Sequence, residues 1–271
     1  MTPLVVVQNN YVERLTGPMA KAAHGLGIAL HDVSSGRAAA ERPLPTAGGP
    51  WGPVLVMGSV LFVHQWARDE AALSPWVFWD DACYDAALWA DRLGDRYLNA
   101  GGRATTIGDF QTSDAEASHI RPRSGIKMIG EHEPSESKAG RYSISGIVET
   151  PAGVARLGIE PDTAIWASPP KTIHAEIRTW MIGGAAATAS TYRVDGKPHF
   201  DAKHHLVDDA VRTARDTHGV WSPGRHYVVD MALTDDGWQI IEYNPIHSSG
   251  WYDADPSSVL SAYISHEERE P

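Results

Sequence analysis

Val228-Val-Asp-Met-Ala-Leu-Thr-Asp-Asp-Gly-Trp-Gln-Ile-Ile-Glu-Tyr-Asn-Pro245 reads as a β-hairpin. Tyr227 to Leu233 is apolar and rich in β-branched residues, Thr234 to Gly237 is a turn cluster, and Trp238 to Tyr243 is the return strand. Asp230 lies on the outgoing strand. Glu242 and Asn244 are two residues apart at the end of the return strand, so they share one face. Folding back at Asp236-Gly237 brings Asp230 opposite them. Two carboxylates and an amide are hard oxygen ligands of the kind Mg²⁺ takes while keeping waters and phosphates in its other positions. An exposed acidic hairpin would fit the same pattern. The carboxylates stand among Val, Met, Ile and Trp, however, and burying a charge without a partner is costly. A metal ion or another cation is the expected partner.

The rest of the chain narrows the setting. Its 271 residues suit one large domain or two small ones, with ample material for a core. With 34 acidic and 23 basic residues the net charge is −11, which argues against a nucleic-acid binder working through a broad basic surface. A local cationic pocket for a phosphate ligand remains compatible. Cys83 is the single cysteine, so no intramolecular disulfide or Cys-rich zinc site is expected. No signal peptide and no membrane-spanning run is read, and a cytoplasmic location is expected. Thirteen histidines make pairs such as His204-His205 common by chance, so no zinc role is assigned to them or to His132.

Strand-like runs at Leu4–Val7, Val54–Met57 and Pro75–Trp79 alternate with helical stretches around Met19–Leu30, Val60–Arg68 and Asp80–Leu98. Such alternation indicates an α/β domain with a mostly parallel, Rossmann-like sheet, placed at about residues 1–115. Ser59 would cap the second helix. Further on, Arg121, Arg123 and Lys127 fall within seven positions of an otherwise acidic chain. Ile173 to Ile182 alternates as a strand, placing Glu176 and Arg178 on one face, and Ala185 to Val194 is its partner. Lys203 to Thr217 reads as an amphipathic helix. A surface ion-pair strip would account for Glu176 and Arg178. So would an acid for sugar hydroxyls beside a cation that grips phosphate through its planar fork.

An Asp/Glu/Asn metal set, several separate cations and an α/β scaffold are the parts needed to hold a nucleoside triphosphate, where positioning and charge neutralisation are the main tasks. The chain carries no G-x-x-x-x-G-K-[ST], no H-R-D or D-F-G and no G-x-S-x-G. What it does carry, in order, is Arg121-Pro122…Lys127, a hydrophobic segment ending Trp166-Ala-Ser-Pro169, Glu176-x-Arg178, Ser190-x-Tyr192, Val228-Val-Asp230 and Ile241-Glu-Tyr-Asn-Pro245. This order resembles the ATP-grasp superfamily. It is most similar to the clade of bacterial and phage proteins that uses an Arg and a Lys on the phosphates. The match spans about residues 119–253; the N-terminal region matches more loosely, through Gly58-Ser59 and Leu98-Asn99.

The resemblance implies a two-lobed ATP-grasp module at residues 116–271, with α+β lobes at about 116–168 and 169–271 and ATP in the cleft between them. It implies Arg121 and Lys127 on the phosphates, Trp166, Ala167 and Ser168 as a hinge against adenine, and Glu176 on the ribose. Arg178 would stabilise the transferring phosphoryl group, and Asp230, Glu242 and Asn244 would hold Mg²⁺. Many family ligases carry an Arg two residues before the metal Asp, where this chain has Val228, so Arg193 is a second candidate for the catalytic cation. A mobile lid is expected at Glu131–Gly140 or Lys138–Gly146. His247, Ser248 and Trp251 follow the metal set directly and, with Tyr192, would line the acceptor pocket. His247 would take a proton from the attacking amine; ordinary loop residues would also fit there. The implied activity is ligation of a small-molecule or peptide carboxylate to an amine, through an acylphosphate. Phosphoryl transfer to a non-carboxylate acceptor and a non-catalytic nucleotide-binding partner protein are the alternatives, and the oligomeric state is left open.

Overall fold

The computed structural model describes residues 2–9, 13–34, 51–59, 62–63, 81–124, 128–131, 141–144 and 146–269. Lys127, the strand expected at 75–79, most of the helix expected at 60–68 and residues 132–140 of the expected lid lie outside them. The strands are β1 (Thr2–Asn9), β2 (Ala29–Ser34), β3 (Trp51–Met57), β4 (Arg103–Thr106), β5 (Ser118–Pro122), β6 (Met128–Glu131), β7 (Arg141–Ile144), β8 (Ile147–Glu149), β9 (Ala164–Ser168), β10 (Ala175–Ile182), β11 (Ala185–Val194), β12 (Lys197–Asp201), β13 (His226–Thr234) and β14 (Gly237–Asn244). The helices are α1 (Glu13–Gly25), α2 (Ala86–Leu93), α3 (Ile107–Gln111), α4 (Pro151–Ala155), α5 (Val207–His218) and α6 (Pro256–Glu267).

The architecture is mixed α/β. An N-terminal parallel sheet, ordered β2-β1-β3, precedes a region of antiparallel sheets ordered β4-β9-β5-β8, β6-β7 and β12-β11-β10-β13-β14. The chain divides into two compact units, one built from residues 1–79, 174–231 and 243–271, the other from 80–173 and 232–242. No described helix is long and apolar enough to cross a membrane.

In the first unit, continuous apolar runs make β1 and β3 buried on both faces, as parallel strands usually are. Val5, Val7, Leu55 and Met57 pack with Met19 and Ala23 of α1 and with Trp180, Val228, Trp251 and Leu260. Leu4, Val6, Val54 and Val56 point the other way, onto Phe62 and Val63. Ser59 Oγ accepts the Phe62 N–H at 3.1 Å, the capping contact expected there. In α5, Val207, Ala210, Ala214 and Thr217 form the buried stripe. The helix begins later than the expected Lys203, because Asp201 Oδ1 accepts the Lys203 N–H at 2.8 Å and holds that segment as a turn. Asp255 caps α6, accepting from the N–H groups of Ser257 and Ser258, with Pro256 at the first helical position.

In the second unit, Ile107 and Phe110 of α3 and Val154 of α4 cover Ile120, Ile165 and Ala167 of the antiparallel sheet. The single helix expected over Asp80–Leu98 is instead a 3-10 turn at Asp81–Tyr84, then α2, then a second 3-10 turn at Gly94–Arg96. Gly94 at φ 52° ends α2, a conformation glycine adopts at no steric cost. Asp85 starts α2 by accepting the Ala87 N–H at 2.8 Å.

Candidate functional site

The hairpin of β13 and β14 turns at Asp235-Asp236 with Gly237 at φ 98°. Thr234 Oγ1 accepts the Asp236 N–H at 3.2 Å and donates to Gly237 O at 3.1 Å, which closes the turn. The hairpin carries Asp230 and Asn244 in the first unit and Glu242 in the second.

In the first unit Asp230 is 2% exposed, and Arg178, on β10, is 8% exposed. Every residue of β10 is buried, so Glu176 and Arg178 do not form a surface strip. The Arg178 guanidinium grips Asp230 with both prongs, Nε to Oδ1 and Nη2 to Oδ2, each at 2.7 Å. Its Nη1 donates to Gly250 O at 3.3 Å. Burial disfavours the guanidinium charge, but Asp230 outweighs it and holds Arg178 protonated above its ordinary range. Asn244 Nδ2 donates to Asp230 Oδ2 at 3.2 Å. A carboxylate can only accept, so this bond fixes which end of the amide faces Asp230 and directs Asn244 Oδ1 elsewhere.

Aromatic rings surround the pair. The Arg178 guanidinium lies 5.8 Å from the Tyr192 ring centroid and 5.2 Å from that of Tyr252. Those two rings stack at 5.0 Å, and Tyr252 holds a left-handed φ of 56°, a conformation uncommon for a bulky residue. Burial, followed by Asp230 and Glu176, pushes the Tyr192 phenol well above its usual range, so it stays protonated. Glu176, 7% exposed, accepts from Arg193 Nη1 at 2.7 Å. Arg193 is half-exposed and can leave this partner more easily than Arg178 can leave Asp230.

His247 is buried, and its carbonyl accepts the Gly58 N–H at 2.9 Å. A Cβ on Gly58 would come within 2.6 Å of Phe62, so glycine is needed for that approach. Ser248 closes the 3-10 turn Ile246–Ser248 and is partly buried. Trp251 belongs to the core, stacked flat on Trp180 at 3.9 Å between centroids.

In the second unit Arg121 is 6% exposed. Its Nη2 donates to Glu242 Oε2 at 2.9 Å and its Nη1 to Ile241 O at 3.0 Å, with the guanidinium 4.9 Å from the Trp89 ring centroid. The expected hinge lies in β9. Ala167 pairs with Arg103 on one side and Ile120 on the other. The flanking side chains are both anchored on Asn99: Trp166 Nε1 donates to Asn99 O at 2.8 Å, and Ser168 Oγ to Asn99 Oδ1 at 3.0 Å. Any side chain on Gly102 would overlap the Trp166 indole. Asn99 therefore anchors both side chains of the candidate hinge; its one signal in the sequence is the Leu98-Asn99 pair before Gly101-Gly102.

His119, two residues before Arg121 on β5, carries a pH consequence. Burial, then the Arg121 charge, lower its imidazole to about 4, from an ordinary value near 6.5. Between those pH values the unfolded chain binds more protons than the folded one. The stability is therefore fully present above pH 6.5 and falls as pH drops toward 4. Replacing His119 by Asn is expected to flatten the melting-temperature profile in that window. An unchanged slope would assign the acid sensitivity to other groups.

The three candidate acids are thus each paired with a candidate cation: Asp230 with Arg178, Glu242 with Arg121, Glu176 with Arg193. The Asp230, Glu242 and Asn244 donors are all oxygen and suit Mg²⁺ in chemical type. A separate trio of His226, His266 and Glu267 places possible ligand atoms within 4.8 Å of one another. Its wiring is that of a clamp. His226 Nδ1 accepts the Gly183 N–H at 3.2 Å, which leaves the proton on Nε2 to donate to Glu267 Oε1 at 2.8 Å, and Arg225 Nη1 lies 3.5 Å from that same oxygen. No lone pair of His226 Nε2 is then offered to a cation.

Residues 132–264 match the family model of the ATP-grasp domain, Arg/Lys clade family 3. Among solved structures, the chain is similar to D-alanine–D-alanine ligase from Bacillus anthracis complexed with ATP, at 11% identity and TM-score 0.59, covering 100% of this chain and 98% of that one. It is similar to the RimK domain ATP-grasp protein from Sphaerobacter thermophilus, at 12% identity and TM-score 0.57, with 97% and 99% covered. A third is the macrocyclase MdnC bound with precursor peptide MdnA from Microcystis aeruginosa, at 14% identity and TM-score 0.56, with 100% of both chains covered. No curated protein matches the sequence.

Proposed function

Because this chain belongs to the ATP-grasp superfamily, in its Arg/Lys clade, whose general chemistry is ATP-dependent ligation, we propose that it joins a carboxylate to an amine using Mg-ATP. The observation that carries the proposal is the buried Arg178–Asp230 pair of the first unit, whose carboxylate is a proposed metal ligand. Buried ion pairs are weak contributors to stability compared with apolar packing. A charge pair kept buried despite that weak contribution supports a role in binding charged ligand.

In this reading Asp230, Glu242 and Asn244 hold Mg²⁺, which when bound draws charge from the phosphate oxygens. Arg121 and Lys127 bind phosphate, Trp166, Ala167 and Ser168 flank adenine, and Glu176 binds the ribose. A substrate carboxylate oxygen attacks the γ-phosphorus and ADP leaves. Arg178, with Arg193 beside it, offsets the charge that develops on the phosphoryl oxygens. An amine nitrogen then attacks the acyl carbon, phosphate leaves, and His247 takes the proton. Tyr192 and Ser248 remain the proposed acceptor-side residues, while Trp251 is packed in the core. The neighbours include a D-alanine–D-alanine ligase and a macrocyclase bound with its precursor peptide, so the proposed substrates are carboxylates and amines carried by amino acids or peptides.

The test is thermal stabilisation by ATP with and without Mg²⁺. Ligand that binds only the native state raises the melting temperature, by about 2.7 kcal/mol of stability at a hundredfold excess over Kd. Wild type should show a Mg-dependent rise. Glu242→Gln should fold, because Gln Oε1 still accepts from Arg121, and should lose most of the rise. A wild-type response in that variant would remove Glu242 from the metal set. ADP release giving a stable phosphorylated product and no amide would replace ligation by phosphoryl transfer.

A further inference from the structure

The proposed metal carboxylate Asp230 is already engaged, and the manner of its engagement bears on how metal is admitted. An ionised carboxylate offers about four lone-pair sites. Arg178 Nε takes one on Oδ1, while Arg178 Nη2 and Asn244 Nδ2 take two on Oδ2. The remaining environment is closed: Asp230 is 2% and Arg178 8% exposed, and a bond to Gly250 O and the rings of Tyr192 and Tyr252 hold the guanidinium in place. A divalent cation approaching Asp230 alone would meet a fixed positive charge on both oxygens. Mg²⁺ gives up its own waters reluctantly, so it cannot outbid such a bidentate partner readily. A phosphate group changes both terms. It offers Arg178 an equivalent planar pair of acceptors, and it supplies oxygens to the metal.

Resting on the nucleotide reading above, we infer that Arg178 guards Asp230, so that this carboxylate accepts a divalent metal only when nucleotide phosphate takes over the guanidinium. In the second unit Arg121 Nη2 likewise donates to Glu242 Oε2. Metal and nucleotide then bind with positive coupling, by the reciprocity any such linkage requires. Arg178 has a positioning role in metal entry that is separable from any part it takes in phosphoryl transfer.

The experiment uses Mn²⁺, an oxygen-ligated stand-in for Mg²⁺, followed by electron paramagnetic resonance on the full chain without nucleotide. Wild type is expected to bind Mn²⁺ weakly. Arg178→Gln should bind it at least tenfold more tightly. Arg178→Lys keeps the charge but covers one oxygen rather than two, and should gain several-fold. Equal Mn²⁺ affinity in wild type and Arg178→Gln would overturn the inference. A gain in Arg178→Gln with none in Arg178→Lys would uphold the guard and assign it to the positive charge rather than to the two-pronged contact. If Arg178→Gln does not fold, the wild-type and Lys arms decide: tight Mn²⁺ binding by wild type that Asp230→Asn abolishes would overturn the guard. The Mg-ATP melting shift of wild type is measured in parallel. A normal shift with tight nucleotide-free Mn²⁺ binding rejects the guard alone, whereas no shift with the Arg178→Lys gain intact rejects the nucleotide reading alone.

Discussion

Asp230→Ala is expected to destabilise the protein by about 3–5 kcal/mol, since it leaves the Arg178 guanidinium buried without its counter-charge. At about 2–4 °C per kcal/mol for chains approaching this size, the melting temperature should fall by roughly 6–20 °C. The loss comes from the stranded charge more than from the missing contact. Removing both partners should therefore recover much of it: Arg178→Met with Asp230→Leu is expected to melt well above Asp230→Ala, while binding no Mg-ATP. Calorimetry on the two variants checks this. A wild-type melting temperature in Asp230→Ala would show that the pair is not a buried, mutually dependent unit.

Trp251→Ala is the second large effect, at about 3–5 kcal/mol for deleting a buried aromatic side chain, with about 0.5–1.5 kcal/mol of that range from the stacked partner. Trp251 is 4% exposed and lies flat on Trp180, which has no exposure at all. Trp251→Phe keeps a ring on Trp180 and should lose much less. Urea denaturation of both variants separates two roles for this residue. A large drop in the transition midpoint assigns Trp251 to the core of the first unit. An unchanged midpoint with altered substrate saturation would assign it to the acceptor pocket proposed from the motif.

The residues most legible in the sequence were those whose placement is local. Asp236-Gly237 turns the hairpin, and the two-residue period of its arms puts Glu242 and Asn244 on one side without reference to anything distant. Apolar runs at Leu4–Val7 and Val54–Met57 announced a parallel sheet because such strands are covered on both faces. Apolar spacing that continues past Leu93 predicts one helix over Asp80–Leu98, but Gly94 adopts a positive φ and stops it. In α5 the periodicity was right and its start was not, since Asp201 captures the backbone of Lys203.

By itself, then, the sequence determined the turn, the strand period, the mixed α/β class and the inventory of candidate acids and cations. Only the tertiary structure decided which acid meets which cation. Arg178 and Asp230 are 52 positions apart, and Arg121 and Glu242 are 121 apart. Their pairing depends on β10 lying beside β13 and on β5 bringing Arg121 to the end of β14. The same holds for Asn99 beneath Trp166 and Ser168, and for Trp251 against Trp180. Turn and strand propensities act over a few bonds, whereas ion pairs and stacked rings act through space between segments that only the folded chain brings together.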